Sequence, residues 1–380
     1  MHTKFDQILN KLLDRFVNEV VFIELKETHR LNIDGIDLPE NISLPVYLDD
    51  LAKNIKTGDL EVIPTVGLIK GLVYIVGARS NIETYELYKN MLISLNQVRA
   101  FGDLNLTASL LVDGINFAES KQYANAILYF SAVNAIDSDN LDAIYNMGRA
   151  FEDLSVSEER EELRRLAINC FESCLAINDD FELAHFSLGF LYYNEEKYLQ
   201  AETHWIKALQ LGISDEMREE IAVGLGRVKD KAAYERGYEM ILSGRVEEGL
   251  EILKALEDEH DEWWNLLFFI GVGYRMLEQY EDALGYFLKV MSLNTGHIQT
   301  MNEIGICLLT LGDYKEAERY YKEAIRLSPQ NSELVCNLGI VHFHRGDIDE
   351  ARRLFDKAHE LAPDDEVAKM WLDHINKKLM

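Results

Sequence analysis

Basic residues are the conspicuous shortage in this 380-residue chain. Thirty-eight lysines and arginines stand against 66 aspartates and glutamates, a formal net charge of −28. Nucleic acid is not an expected partner, because holding phosphates takes a stripe of cations. An anionic membrane surface is disfavoured by the same repulsion. Long apolar runs are missing: no stretch of 18 or more apolar residues occurs, so no membrane insertion is expected. The start, Met1-His2-Thr3-Lys4-Phe5-Asp6, lacks the basic-then-apolar order of a signal peptide, and the cytoplasm is the expected location. Cysteine is scarce as well. Cys170, Cys174, Cys307 and Cys336 make no disulfide framework in a chain this long, and no histidine shares the Cys170–Cys174 spacing as a metal set requires. Only five prolines interrupt the chain, which leaves room for long helices.

The signatures of catalysis are also absent. There is no Gly-rich phosphate loop and no His-Glu-x-x-His motif, and the ten histidines are scattered. His342 and His344 flank Phe343 but read as packing residues. Acidic pairs such as Glu219-Glu220 and Asp364-Asp365 read as solvated charge at helix starts. No catalytic residue, no cofactor and no metal ligand set is expected, and the chain is not read as an enzyme.

What the sequence does contain is a repeat. Gly114, Gly148, Gly189, Gly237, Gly271, Gly305 and Gly339 are separated by 34, 41, 48, 34, 34 and 34 residues. A second small residue follows each: Ala126, Ala167, Ala201, Gly249, Ala283, Ala317 and Ala351. Two small residues at fixed places describe helices that approach closely, again and again. In the clearest unit, Met301, Ile304, Gly305 and Leu308 share one helix face. Gly312-Asp313 breaks that helix, a second carries Tyr314, Ala317, Tyr321, Ala324 and Leu327, and Pro329 stops it.

This pattern resembles the tetratricopeptide repeat family, over about residues 107–365. The resemblance implies an all-α, right-handed superhelical solenoid of helix-turn-helix repeats, here behind a mostly helical N-terminal segment. The expected organisation is an N-terminal segment (1–62) with a short hairpin, a degenerate helix pair and joint (63–106), seven repeats (107–365) and a C-terminal capping helix (366–380). The two long gaps exceed 34 by 7 and 14 residues. They predict helix-extending insertions near 155–162 and 216–229, because seven residues are about two helical turns and nearly preserve an apolar face. Ser155 and Glu158 suggest a capping box that starts the second helix of its unit early. Asp215 to Leu242 is expected as one long helix or two nearly collinear ones.

In the N-terminal segment, Phe5, Ile8, Leu9, Leu12, Leu13, Phe16, Val17, Val20 and Val21 form one helical stripe. Leu31 to Leu38 alternates around Asp34-Gly35, a hairpin signal. A helix is expected near Pro45 to Ile55, and Gln97 to Asn105 is the expected joint.

The resemblance also implies where a partner is held, because positions five, nine and twelve of each unit line the family's concave groove. Position five reads Leu111, Tyr145, Phe186, Tyr234, Phe268, Asn302, Cys336. Position nine reads Ile115, Arg149, Phe190, Tyr238, Val272, Ile306, Ile340. Position twelve reads Ala118, Glu152, Tyr193, Ile241, Arg275, Leu309, Phe343. The expected partner-binding residues are Tyr145, Arg149, Phe186, Phe190, Tyr193, Tyr234, Tyr238, Phe268, Arg275 and Phe343. Some family members hold a chaperone's terminal carboxylate with lysine at position five and asparagine at position nine; this chain has neither. The leading reading is an interaction scaffold or adaptor that takes an apolar peptide or helix. The partner is a protein or peptide, a basic one among the options given the −28 charge. Alternatives are a peptide-sensing regulator with an N-terminal output segment, and a non-catalytic subunit of an enzyme complex. Coverage of the inner face by neighbouring helices or by the N-terminal segment stands against the groove reading.

Overall fold

A computed structural model of the chain describes residues 4–24, 32–33, 36–37, 42–57, 65–97, 105–158 and 160–379. They fall in two compact units, residues 1–223 and 224–380. Both are built from antiparallel helix pairs, and the architecture is an all-α repeat solenoid.

The first unit opens with α1 (Lys4–Val17), β1 (Val20–Glu24), β2 (Asn32–Ile33), β3 (Ile36–Asp37), β4 (Ser43–Tyr47) and α2 (Leu48–Thr57). Two expectations are corrected here. The apolar stripe from Phe5 does not stay helical to Val21, and Pro45 does not begin a helix. Instead Val20 to Glu24 pairs antiparallel with Ser43 to Tyr47, Phe22 opposite Pro45. The run Val20-Val21-Phe22-Ile23 is rich in residues that suit a pleated surface. Its partner lies some twenty residues away, so local periodicity could not announce the pairing. Asn32–Ile33 pairs with Ile36–Asp37; Asp34-Gly35 and most of the expected joint, 98–104, lie outside the described residues.

Helices α3 (Thr65–Gly77) and α4 (Tyr85–Gln97) follow. Gly71 of α3 does not receive an aromatic from α4, as a repeat glycine would; a side chain there would collide with the Pro45 backbone of β4. Tyr88 of α4 instead donates its hydroxyl to the Ser43 carbonyl at 2.5 Å. Three repeat pairs then complete the unit: α5 (Leu106–Glu119) with α6 (Tyr123–Ile136), α7 (Leu141–Glu158) with α8 (Glu161–Ile177), and α9 (Glu182–Asn194) with α10 (Tyr198–Leu211). The turn between α3 and α4 is anchored on α6, where Arg79 donates to Ser131 and to Asn134.

The seven-residue insertion is shared between two helices: α7 has 18 residues and α8 has 17, against 13 and 14 in the next pair. Ser155 is not a cap. It is buried inside α7 and donates back to the Glu152 carbonyl at 2.6 Å. The fourteen-residue insertion lengthens one helix, α11 (Asp215–Leu242), to 28 residues; the boundary between the units falls within it.

The second unit continues with α12 (Val246–Glu257), α13 (Trp264–Met276), α14 (Tyr280–Leu293), α15 (Ile298–Thr310), α16 (Tyr314–Leu327), α17 (Ser332–Arg345), α18 (Ile348–Leu361) and α19 (Glu366–Leu379). Caps mark several starts: the side chains of Asn105, Asp313 and Asn331 each accept the amide three residues on, closing one of the orphan donors of a helix N-terminus.

The repeat glycines admit a large side chain from the second helix of their own pair. Gly114 faces Phe130, Gly189 Trp205, Gly237 Leu253, Gly271 Phe287, Gly305 Tyr321 and Gly339 Phe355, each sixteen residues on. Gly148 faces Phe171 at twenty-three, longer by the seven inserted residues. At Gly271 and Gly339 an added methyl carbon would sit 2.7 Å from a ring carbon, well inside the 3.5–4.0 Å of ordinary carbon contact, roughly. The six alanines at the second repeat position, Ala126, Ala167, Ala201, Ala283, Ala317 and Ala351, are all fully buried.

Candidate functional site

Helix α9 buries residues on most sides, Ala184, Leu188 and Leu191 among them, yet Phe186, Phe190 and Tyr193 stay half-buried. Gly189, between them, lets α10 approach so closely that Trp205 is completely covered beneath. Phe190 meets the Trp205 ring edge-on at 4.9 Å, Tyr193 lies 5.9 Å from it, and Phe186 is 5.0 Å from Phe190. The three expected residues therefore form one aromatic face, propped from behind by an indole.

Tyr145 is a correction. It is buried, with its ring 5.5 Å from both Phe171 and Phe181, and its hydroxyl accepts a hydrogen bond from Arg149 at 3.4 Å. It packs within the repeats instead of lining a groove, because the following pair covers it. Arg149 itself is half-exposed and lies 3.9 Å from Glu152. Burial pushes the Glu152 carboxyl up, with Arg149 opposing.

Elsewhere in this unit, His185 and His204 touch through their Nδ1 atoms at 2.9 Å, and His185 Nε2 lies 2.9 Å from the Asp179 carbonyl. A carbonyl only accepts, so His185 carries a proton on Nε2, and in the neutral ring its Nδ1 then accepts from His204 Nδ1–H. Burial, and then the neighbouring His185, lower the His204 pKa to about 4.

In the second unit Tyr234 and Tyr238, a turn apart on α11, are half-buried with rings 5.3 Å apart. Tyr234 lies 4.7 Å from Trp263 and Tyr238 stacks on Phe269 at 4.9 Å. Phe268 extends the cluster, 5.5 Å from Phe269 and 5.3 Å from His297. Trp263 and Phe269 were missed from sequence because they fall outside positions five, nine and twelve. The aromatic run Trp263-Trp264…Phe268-Phe269 was the signal available. Burial pushes the Tyr234 phenol up, Tyr238 adding to it.

Two expected groove residues are tied elsewhere. Arg275 forms an ion pair with Glu303, both largely covered, so its charge is already matched. Phe343 is overlaid by α19, 5.2 Å from Trp371 and 5.5 Å from His374. Ile241, Val272 and Cys336, at further expected lining positions, are buried in the core. Close helix packing makes these inner positions interior. All four cysteines are free and buried, and burial pushes the Cys307 thiol up to about 12, which removes it from nucleophilic chemistry.

One cluster has metal-binding composition. Asp230, Glu259 and His260, remote in sequence, bring one ligand atom each within 4.8 Å of one another. Among the described residues no helix is long and apolar enough to cross a membrane.

Comparison with known proteins places this architecture. The family profile described as Tetratricopeptide repeat matches residues 265–330 and 308–372. No curated protein matches the chain. Among solved structures, MamA RS-1 in an ArsTM double mutant is similar at 22% identity over 40% of this chain and 84% of that one, with a TM-score of 0.37. YrrB, described as a TPR protein with an unusual peptide-binding site, is similar at 18% over 63% of this chain and 96% of that one, TM-score 0.28. The first TPR of Spaghetti (RPAP3), bound to the HSP90 peptide SRMEEVD, is similar at 20% over 30% and 92%, TM-score 0.30. At such identities and scores these likenesses say nothing about what this chain binds. The profile matches fall on α13 to α19, where the glycine–aromatic pairs recur at a strict 34-residue interval, and residues 265–372 carry tetratricopeptide repeats.

Proposed function

We propose that this protein is an interaction scaffold that binds an apolar segment of another polypeptide on its aromatic faces. One observation carries the reading. Phe186, Phe190 and Tyr193 lie at spacings of four and three on α9, half-exposed and backed by a fully buried Trp205. Rigid aromatic side chains with a desolvated base are the usual anchors of binding energy. In the second unit, Tyr234, Tyr238 and Phe268 present a similar cluster supported by Trp263 and Phe269. Recognition of an amphipathic helix or extended apolar segment by such a face follows the general groove mode of repeat proteins. Tetratricopeptide repeats serve as interaction modules, and no catalytic constellation competes with this reading among the described residues.

The test is selection of peptides from a displayed library on the full chain, followed by titration. Wild-type protein is expected to select sequences with apolar or aromatic anchors and to hold them in moderate salt. Phe186→Ala combined with Tyr193→Ala weakens that binding at least tenfold, while melting stays near wild type, because neither residue is fully buried. Selection of lysine- and arginine-rich peptides that dissociate as salt rises, with no effect of the double variant, would refute the aromatic reading and assign recognition to the acidic surface.

A further inference from the structure

We infer that Asp230, Glu259 and His260 form a binding site for a divalent transition-metal ion of the zinc type. The carboxylate of Asp230 projects from α11, and the other two residues follow α12. Their three ligand atoms lie within 4.8 Å of one another, His260 Nε2 already 3.1 Å from Asp230 Oδ2. Around a zinc ion, ligand atoms at about 2.0–2.2 Å from the metal stand roughly 3.4 Å apart in a tetrahedron and about 4.2 Å when opposite. Closing the cluster on an ion therefore needs shifts of about 0.6–1.4 Å, within reach of the exposed Glu259 side chain.

The frame holding these atoms is set by packing. Asp230 and Tyr234 are one turn apart on α11; His260 and Trp263 are three apart in the turn before α13. The pairs face each other in two rungs, His260 on Asp230 and Trp263 on Tyr234 at 4.7 Å. The His260 ring stands edge-on to Trp263 at 5.5 Å, which fixes its plane. Backbone bonds from His260 N to Glu257 O and from Trp263 N to His260 O hold the turn.

The donor set argues for the class of ion. One imidazole with two carboxylates suits zinc, cobalt or manganese, whereas calcium and magnesium prefer oxygen alone. Two carboxylates neutralise the charge of a divalent ion, and the run Glu257-Asp258-Glu259-His260-Asp261-Glu262, five acids in six residues, raises the local cation concentration. Three protein ligands leave coordination positions for water. A bound ion would staple α11 to the turn after α12.

Cobalt(II) and zinc titrations of the full-length, chelator-treated protein test the site. One ion per chain is expected, with cobalt giving visible ligand-field bands that zinc displaces, and with melting raised by zinc. His260→Gln and Asp230→Asn, which keep the side-chain shape, weaken binding at least tenfold and abolish the bands. Magnesium and calcium compete poorly. Absence of bands and of saturable heat at millimolar metal overturns the proposal. So does binding that His260→Gln leaves unchanged, or calcium binding as tight as zinc: either outcome marks a diffuse acidic surface. Circular dichroism of the variants separates lost ligation from lost fold.

Discussion

The same substitution, glycine to alanine inside a helix, is expected to have opposite signs at two positions of the second unit. Gly285 lies on the exposed face of α14, and nothing is within 4 Å of where its side chain would stand. Alanine there recovers the helix propensity that glycine forgoes, about 0.8–1.0 kcal/mol. Gly305 on α15 gains the same propensity but meets a ring. An added carbon would sit 2.7 Å from both Tyr321 Cε atoms and closer still to Cζ, roughly 1 Å inside normal contact. Tyr321 is completely buried, so it has nowhere to swing. Overpacking of this kind costs about 1–3 kcal/mol, and a head-on approach to a trapped ring belongs at the upper end, leaving a net loss of about 2 kcal/mol once about 1 kcal/mol of propensity is credited. Thermal melting by circular dichroism reads both variants. Gly285→Ala should melt about 2–4 °C higher and Gly305→Ala about 4–8 °C lower, on the usual scale for a unit of this size. Gly305→Leu should lose at least as much as Gly305→Ala. If Gly305→Ala melts at or above wild type, the close approach of α15 and α16 is not what the glycine serves, and the steric account of the whole repeat fails.

Three other outcomes are expected. The folded protein holds His204 neutral down to about pH 4, whereas an unfolded histidine protonates near its ordinary value of about 6.5. The unfolded state therefore binds the extra proton first as pH falls, and the contribution, complete above about pH 6.5, is lost between there and pH 4, about 3 kcal/mol at most; urea midpoints across that window should fall more steeply for wild type than for His204→Phe, and parallel slopes would sink the assignment. Removal of residues 366–380 uncovers Phe343 and Phe355, on which Trp371 packs at 5.2 and 5.6 Å, so the truncated protein should melt lower and self-associate in sedimentation, and an unchanged monomer would contradict a capping role. Glu278 occupies the left-handed region at φ 61° in the turn where Gly312 and Gly346 do so freely; Glu278→Gly should stabilise by about 0.5–1 kcal/mol in denaturant unfolding, and a loss of stability would mean its side chain matters more than its backbone strain.

The aromatic faces were legible only in part. Phe186, Phe190 and Tyr193 follow from helical spacing on one element, and spacing on one helix is a local property. Tyr145 and Phe343 occupy equivalent places in their own repeats but are covered, one among Phe171 and Phe181, the other beneath α19. Equivalent positions carry equivalent burial only when their neighbours are equivalent, and repeats near an insertion or an end have different neighbours. Trp263, Phe269 and the Asp230–His260 contact depend on where α12 and its following turn lie against α11. The strand from Val20 to Glu24 escaped for the same reason, since its partner at Ser43 to Tyr47 is distant along the chain.

The chain by itself determined the repeat, its period and the identity of its contact residues. A glycine and the large side chain it admits sit sixteen residues apart, a separation set by helix rise and turn length. Insertions of whole turns lengthen helices without changing which face is apolar, which is why Gly148 still meets Phe171. Only the tertiary structure decided which inner-face residues remain accessible, how the seven extra residues divide between α7 and α8, and which distant polar groups come together. Exposure and clustering are properties of several elements at once, and the sequence of any one of them does not contain the position of the others.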